Sequence, residues 1–62
     1  MSKEAFLAEV EAAIEKIGIS PSQFGKDALG DRSFVFDLRE GRNVGLDTAE
    51  RVREFIAKQV TN

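Results

Sequence analysis

The stretch FGKDALGDRSFVFDL, from Phe24 to Leu38, decides the fold of this chain. Helix formers run up to Gly30 and then restart at once, with almost no loop between them. Asp31 is placed to N-cap the second of these helices, and its charge suits the positive end of the helix dipole. From Asp31 to about residue 40, Phe34, Val35 and Leu38 share one face by three- and four-residue spacing. Arg32, Ser33, Phe36 and Asp37 fall largely on the other. In the helix before the break stands Gly25, which costs about 1 kcal/mol relative to alanine in a helix interior. A glycine there implies that another backbone passes close by. The two helices are therefore expected to cross tightly, with Gly25 making room. A bend that tight presents the second helix to something.

Working outward, glycines punctuate the rest. Gly18, Gly30 and Gly41 each follow a helix-like run, where a left-handed capping residue favours glycine. Four segments result. The first spans about Lys3 to Ile17, with Phe6, Leu7, Val10, Ala13, Ile14 and Ile17 at helical spacing and Ser2 as N-cap. The second opens with SPSQ: Ser20 caps, Pro21 suits the first helical position, and Gln23 can close a capping box. It runs to about Leu29. The fourth begins near Leu46 or Asp47, with Asp47 and Glu50 as a further capping box and Ala49, Val52, Phe55, Ile56 and Val60 as its buried stripe. No segment alternates like a strand. The expected fold is all-α: one domain over 1–62, a compact bundle of four to five short helices. The expected core is Phe6, Leu7, Val10, Ile14, Ile17, Phe24, Leu29, Val35, Leu38, Val52 and Ile56.

Composition narrows the chemistry. The chain has 62 residues and no cysteine or histidine. A domain of this size buries only about 60% of its unfolded surface, so its stability is modest. Disulfides, thiolate nucleophiles and the usual zinc ligand sets are absent, and no metal or cofactor is expected. With no glycine-rich phosphate loop after a strand and little room for a sequestered pocket, no enzyme activity or small-molecule substrate is expected either. The lack of a disulfide framework favours a reducing compartment. No apolar run reaches the ~20 residues that span a bilayer, and no signal peptide is visible. The net charge is −2. Its acidic excess sits in the first helix, whereas Lys26, Arg32, Arg39 and Arg42 balance Asp27, Asp31, Asp37 and Glu40 around the bend.

The run SPSQFGKDALGDRSFVFDLREGRNVGLDTAERVREFI, residues 20 to 56, resembles the helix-turn-helix of the phage repressor and Cro family, the Xre family. Phe24 and Gly25 match its adjacent hydrophobic and small residues, and Val35 and Leu38 its buried aliphatic pair. Gly41 matches the glycine after the second helix, and RNVGLDTAERVREFI the basic loop and following amphipathic helix. The family's turn glycine sits one position earlier, where this chain has Leu29 with Gly30 next, so a slightly altered turn is expected.

This resemblance implies a lambda-repressor-like fold with its motif over about residues 20–41. It also implies a sequence-specific regulator of double-stranded DNA, of the repressor type, in a bacterial cytoplasm and of phage or prophage kind. The helix over 31–40 would enter the major groove, where each base pair shows a distinct donor and acceptor pattern, while the preceding helix crosses the phosphates. Arg32 and Ser33 then occupy the main base-reading positions, with Phe36 against a thymine methyl and Asp37 toward a cytosine amine. Phosphate contacts fall to Ser20, Ser22 and Gln23 at a helix start, and to Lys26, Arg42 and Asn43. Arg39 pairs with Glu11 or Glu15, reversing a pair of the family. Such proteins bind inverted half-sites as homodimers; Phe55, Val60 and the C-terminal tail are the expected dimer surface.

Each role has a plainer rival. Arg32 and Ser33 can be solvated residues at a helix start. Phe36 can complete the core or a dimer contact, Asp37 and Lys26 can form ion pairs, and Arg42 and Asn43 can merely shape a loop. The competing function is a protein-interaction module on a helix-turn-helix scaffold that no longer binds DNA, favoured by the acidic balance and by Phe36. A third is an antitoxin-like regulator that does both. A basic rim of Arg32 and Arg42 beside the groove face would favour DNA. An apolar patch at Phe36 ringed by acids would favour a protein partner.

Overall fold

The computed structural model describes residues 3 to 60, with side chains from 4 to 59; the expected cap Ser2 and the dimer candidate Val60 lie outside the described side chains. Four helices follow in order: α1 Lys3–Ile17, α2 Pro21–Leu29, α3 Phe34–Arg39 and α4 Leu46–Val60. No strand occurs among the described residues, so the all-α expectation holds. α2 packs against both α3 and α4, and α1 lies against α3 and α4.

Local signals set the helix limits. Ser20 is extended, and its Oγ accepts from the Gln23 amide at 3.1 Å, with Pro21 at the first helical position. The reciprocal half of the expected capping box does not form. Gln23 Nε2 instead donates to Asp27 Oδ1 at 2.6 Å, one turn along the same helix. α4 starts at Leu46, so Asp47 sits within its first turn rather than at the cap; the Gly45 carbonyl accepts from the Ala49 amide.

The third helix is shorter than expected. α3 covers only Phe34 to Arg39, and residues 31–33 are a turn rather than helix. The reason is Asp31. Its Oδ1 accepts from the Ser33 amide at 3.0 Å and the Ser33 hydroxyl at 2.8 Å, while its carbonyl accepts from the Phe34 amide. An aspartate that captures the amide two residues on forms an Asx turn, and here that turn leads into α3. Ser33 thereby takes the N-cap position of α3, without a side-chain capping bond.

The core forms where the apolar stripes meet. Phe24, Phe34, Val10, Val35 and Val52 are fully buried, and Phe6, Ala13, Ile14 and Leu38 nearly so. Each fully buried side chain contributes about 1.5–3 kcal/mol through removal from water. Phe34 and Ala13 join the core although the expected list omitted them. Leu7, Ile17, Leu29 and Ile56, expected inside, are only half-buried and pack on its edge. Phe55 meets Phe24 edge-to-face at 5.3 Å, tying α4 to α2. No polar or charged side chain is buried among the described residues.

Candidate nucleic-acid interface

The site begins with the joint between α2 and α3. Gly30 ends α2 in the left-handed conformation, φ 71°, and its amide donates to the Lys26 carbonyl. The Asp31 amide reaches back to the Gly25 carbonyl at 3.1 Å. Gly25 is buried, and a Cβ built there would collide with the Asp31 carbonyl and crowd Phe34. The backbone after the break thus lies directly on the helix before it, as the glycine in the sequence implied. With Phe34, Val35 and Leu38 turned into the core, Arg32, Ser33, Phe36 and Asp37 are left in solvent.

These four base-reading candidates differ in their freedom. Ser33 and Asp37 belong to a polar network. The Ser33 hydroxyl bridges Asp31 at 2.8 Å and Asp37 Oδ2 at 3.2 Å. Arg42 Nη1 lies 3.2 Å from Asp31 Oδ2 and 3.4 Å from Asp37 Oδ2, and its guanidinium sits 5.7 Å from the centre of the Phe34 ring. The Ser33 hydroxyl first, then the Arg42 guanidinium and the Ser33 amide, hold the Asp31 carboxyl below the usual range. Arg32 is exposed and makes no ion pair or hydrogen bond with the described residues. Phe36 is 44% exposed, with the Arg39 guanidinium 5.7 Å from its ring centre.

Of the phosphate candidates, Ser20, Ser22 and Gln23 cluster at the start of α2, with Ser20 and Gln23 committed to the bonds described above. Lys26 is exposed and its ammonium group has no partner among the described residues. Asn43 is exposed in the loop after α3. Arg42 is engaged by two acids rather than standing free at a rim, so the expected basic border exists only at Arg32. Phe55, the remaining dimer candidate, is half-buried against Phe24.

Arg39 takes Glu11 rather than Glu15. Nε and Nη2 each donate to one carboxylate oxygen at 2.7 Å, a fork that anchors α3 to α1. That hydrogen bonding holds the Glu11 carboxyl low and the Arg39 guanidinium high. Sequence reasoning missed the Asp31–Ser33–Asp37–Arg42 network as a unit. Its local signals were present, an Asp-x-Ser turn and a Ser-to-Asp pair four residues apart, but the arginine joins from beyond the helix. No group of residues suited to a metal ion occurs among the described residues, and no helix there is long and apolar enough to cross a membrane. No family model, curated protein or solved structure matches the chain.

Proposed function

We propose that this chain is a sequence-specific regulator of double-stranded DNA, of the repressor type. The turn after Gly30 and the outer side of α3 enter the major groove, and α2 lies across the phosphates. The observation that carries this reading is the joint itself. Gly25 lets the backbone at Asp31 rest on α2, so α3 is held rigidly with its apolar side inward and Arg32, Ser33, Phe36 and Asp37 outward. A fixed helix edge bearing short polar groups and one uncommitted arginine suits the base edges of B-DNA, where arginine takes guanine in a two-pronged contact. Because α3 is only six residues long, Arg32 and Ser33 read from the turn and Phe36 and Asp37 from the helix. One such unit makes few contacts; pairing on an inverted repeat supplies the remaining affinity.

The test is selection of binding sequences from random duplex DNA. One inverted repeat should be enriched, and Arg32→Ala should relax a single position per half-site at a cost of about 1–3 kcal/mol. Failure to enrich any sequence at low salt refutes the reading.

A second reading rests on one specific observation. Phe36 is exposed beside Asp37 and Glu40, and the arginines nearest it are engaged by acids. That surface suits a protein partner offering an apolar contact with a basic rim. Under this reading duplex DNA is not bound, and Phe36→Ala abolishes the partner interaction.

A further inference from the structure

Arg42 is held in three ways at once. Two carboxylates lie against one of its nitrogens, and its plane covers the Phe34 ring. The two oxygens of Asp31 have separate tasks. Oδ1 builds the turn through the Ser33 amide and hydroxyl, whereas Oδ2 faces Arg42. Arg42 can therefore leave without unmaking the turn that positions α3. Both acids and the arginine are more than a third exposed, and ion pairs in contact with water exchange readily. Arg39, by contrast, is clamped through both prongs to another helix.

We propose that Asp31 and Asp37 serve Arg42 as an internal stand-in for phosphate, an autoinhibitory contact on the DNA-facing surface. With Arg42 engaged, the face carries little net positive charge, and attraction to arbitrary DNA is low, because that attraction comes from cations meeting phosphates. When Arg32 and its neighbours find a matching sequence, the bound backbone brings a phosphate into competition for Arg42. The guanidinium passes from the two carboxylates to the phosphate; Asp31 returns to water, and Asp37 is released to its base edge. The device lowers indiscriminate binding and leaves the specific complex one more phosphate contact. The inference rests on the DNA-binding reading above.

Asp31→Asn and Asp37→Asn separate the latch from the turn. Asparagine at 31 keeps an Oδ1 acceptor for Ser33 but offers Arg42 no charge. Binding to a labelled mixed-sequence duplex would be followed by anisotropy across a salt series. The double variant D31N/D37N is expected to bind several-fold tighter at low salt. Its log–log salt dependence should steepen by about 0.9, the release expected for one added phosphate contact. Adding Arg42→Gln, which keeps a polar stem over Phe34, should return both values to those of the parent chain. An unchanged slope overturns the proposal. So does a gain that survives Arg42→Gln, because it then comes from net charge alone. If the parent chain enriches a sequence and the double variant shows no steepening, only the latch falls. If neither the parent chain nor any variant binds duplex DNA, the DNA-binding reading falls and takes the latch with it.

Discussion

The two ends of α3 are built from the same device and used differently. Gly30 before it and Gly41 after it both take positive φ, 71° and 100°, and a Cβ at either would meet nothing within 4 Å. Past Gly41 the Arg42 amide returns to the Asp37 carbonyl and the Gly41 amide to Leu38, a Schellman ending that frees the chain into an exposed loop. Past Gly30 the chain is pressed onto α2 at Gly25, and the next apolar residue, Phe34, is fully buried. After the second glycine the next apolar residue, Val44, is only half-buried on the edge of the core, and Leu46 beyond it is 85% exposed. A glycine break alone says that a helix ends. A second glycine, inside the helix just ended, says that the following chain is held in place.

The largest effects should separate the two joints most sharply. Phe34→Ala is expected to cost about 3–5 kcal/mol, through lost burial and the cavity left behind. Native domains hold only about 0.05–0.15 kcal/mol per residue, about 3–9 kcal/mol for this chain, so urea unfolding should show a variant that has lost from about a third to all of its stability. Leu46→Ala, the matching truncation at the other joint, should move stability by less than about 0.5 kcal/mol. Comparable losses at both positions would break the contrast.

Gly25→Ala comes next. Alanine favours a helix, but here its methyl must push against a backbone carbonyl that cannot rotate away. The net expectation is a loss of about 1–3 kcal/mol by thermal or urea denaturation. A stabilised variant would mean that the close approach does not exist in solution. Gly30→Ala and Gly41→Ala should each cost about 1–2 kcal/mol, nearly alike, because only the left-handed backbone is penalised and neither methyl meets a neighbour.

The smallest effect is on pH dependence. Glu11 and Asp31 both have folded-state values below their ordinary 4.5 and 3.8. A lowered carboxylate adds stability above its ordinary value and loses it as pH falls through the folded value. Stability should therefore decline on acidification below about pH 4.5. Glu11→Gln should flatten the upper part of that decline and Asp31→Asn the lower part, each by far less than the glycine effects. A decline unchanged in Glu11→Gln would show that the fork to Arg39 is not maintained in water.

Much of this architecture was legible in the residues. The limits of α1, α2 and α4, and the close passage at Gly25, follow from periodicity, Ser20–Pro21 and a misplaced glycine. The family resemblance narrowed the partner of Arg39 to Glu11 or Glu15, and the structure takes Glu11. The start of α3 was not, because aspartate followed two residues on by serine spells both a helix cap and a turn. In the structure the Asp31 carboxylate takes the turn, accepting from the Ser33 amide and hydroxyl. The commitment of Arg42 was illegible for a different reason. Its partners lie at 31 and 37, and their meeting depends on how the chain after Gly41 turns back over Phe34.

The apolar interior of the described residues also bears on descent. A buried polar group fixes its partners, whereas a hydrocarbon core asks only for volume and shape, and aliphatic exchanges of similar size are tolerated. Phe24, Val35, Val52 and their neighbours are thus free to drift in concert among homologues. Gly25 is not, because no side chain of any size fits beneath the Asp31 carbonyl. Over long divergence the most persistent letter of this fold should be the one that contributes no side chain to it.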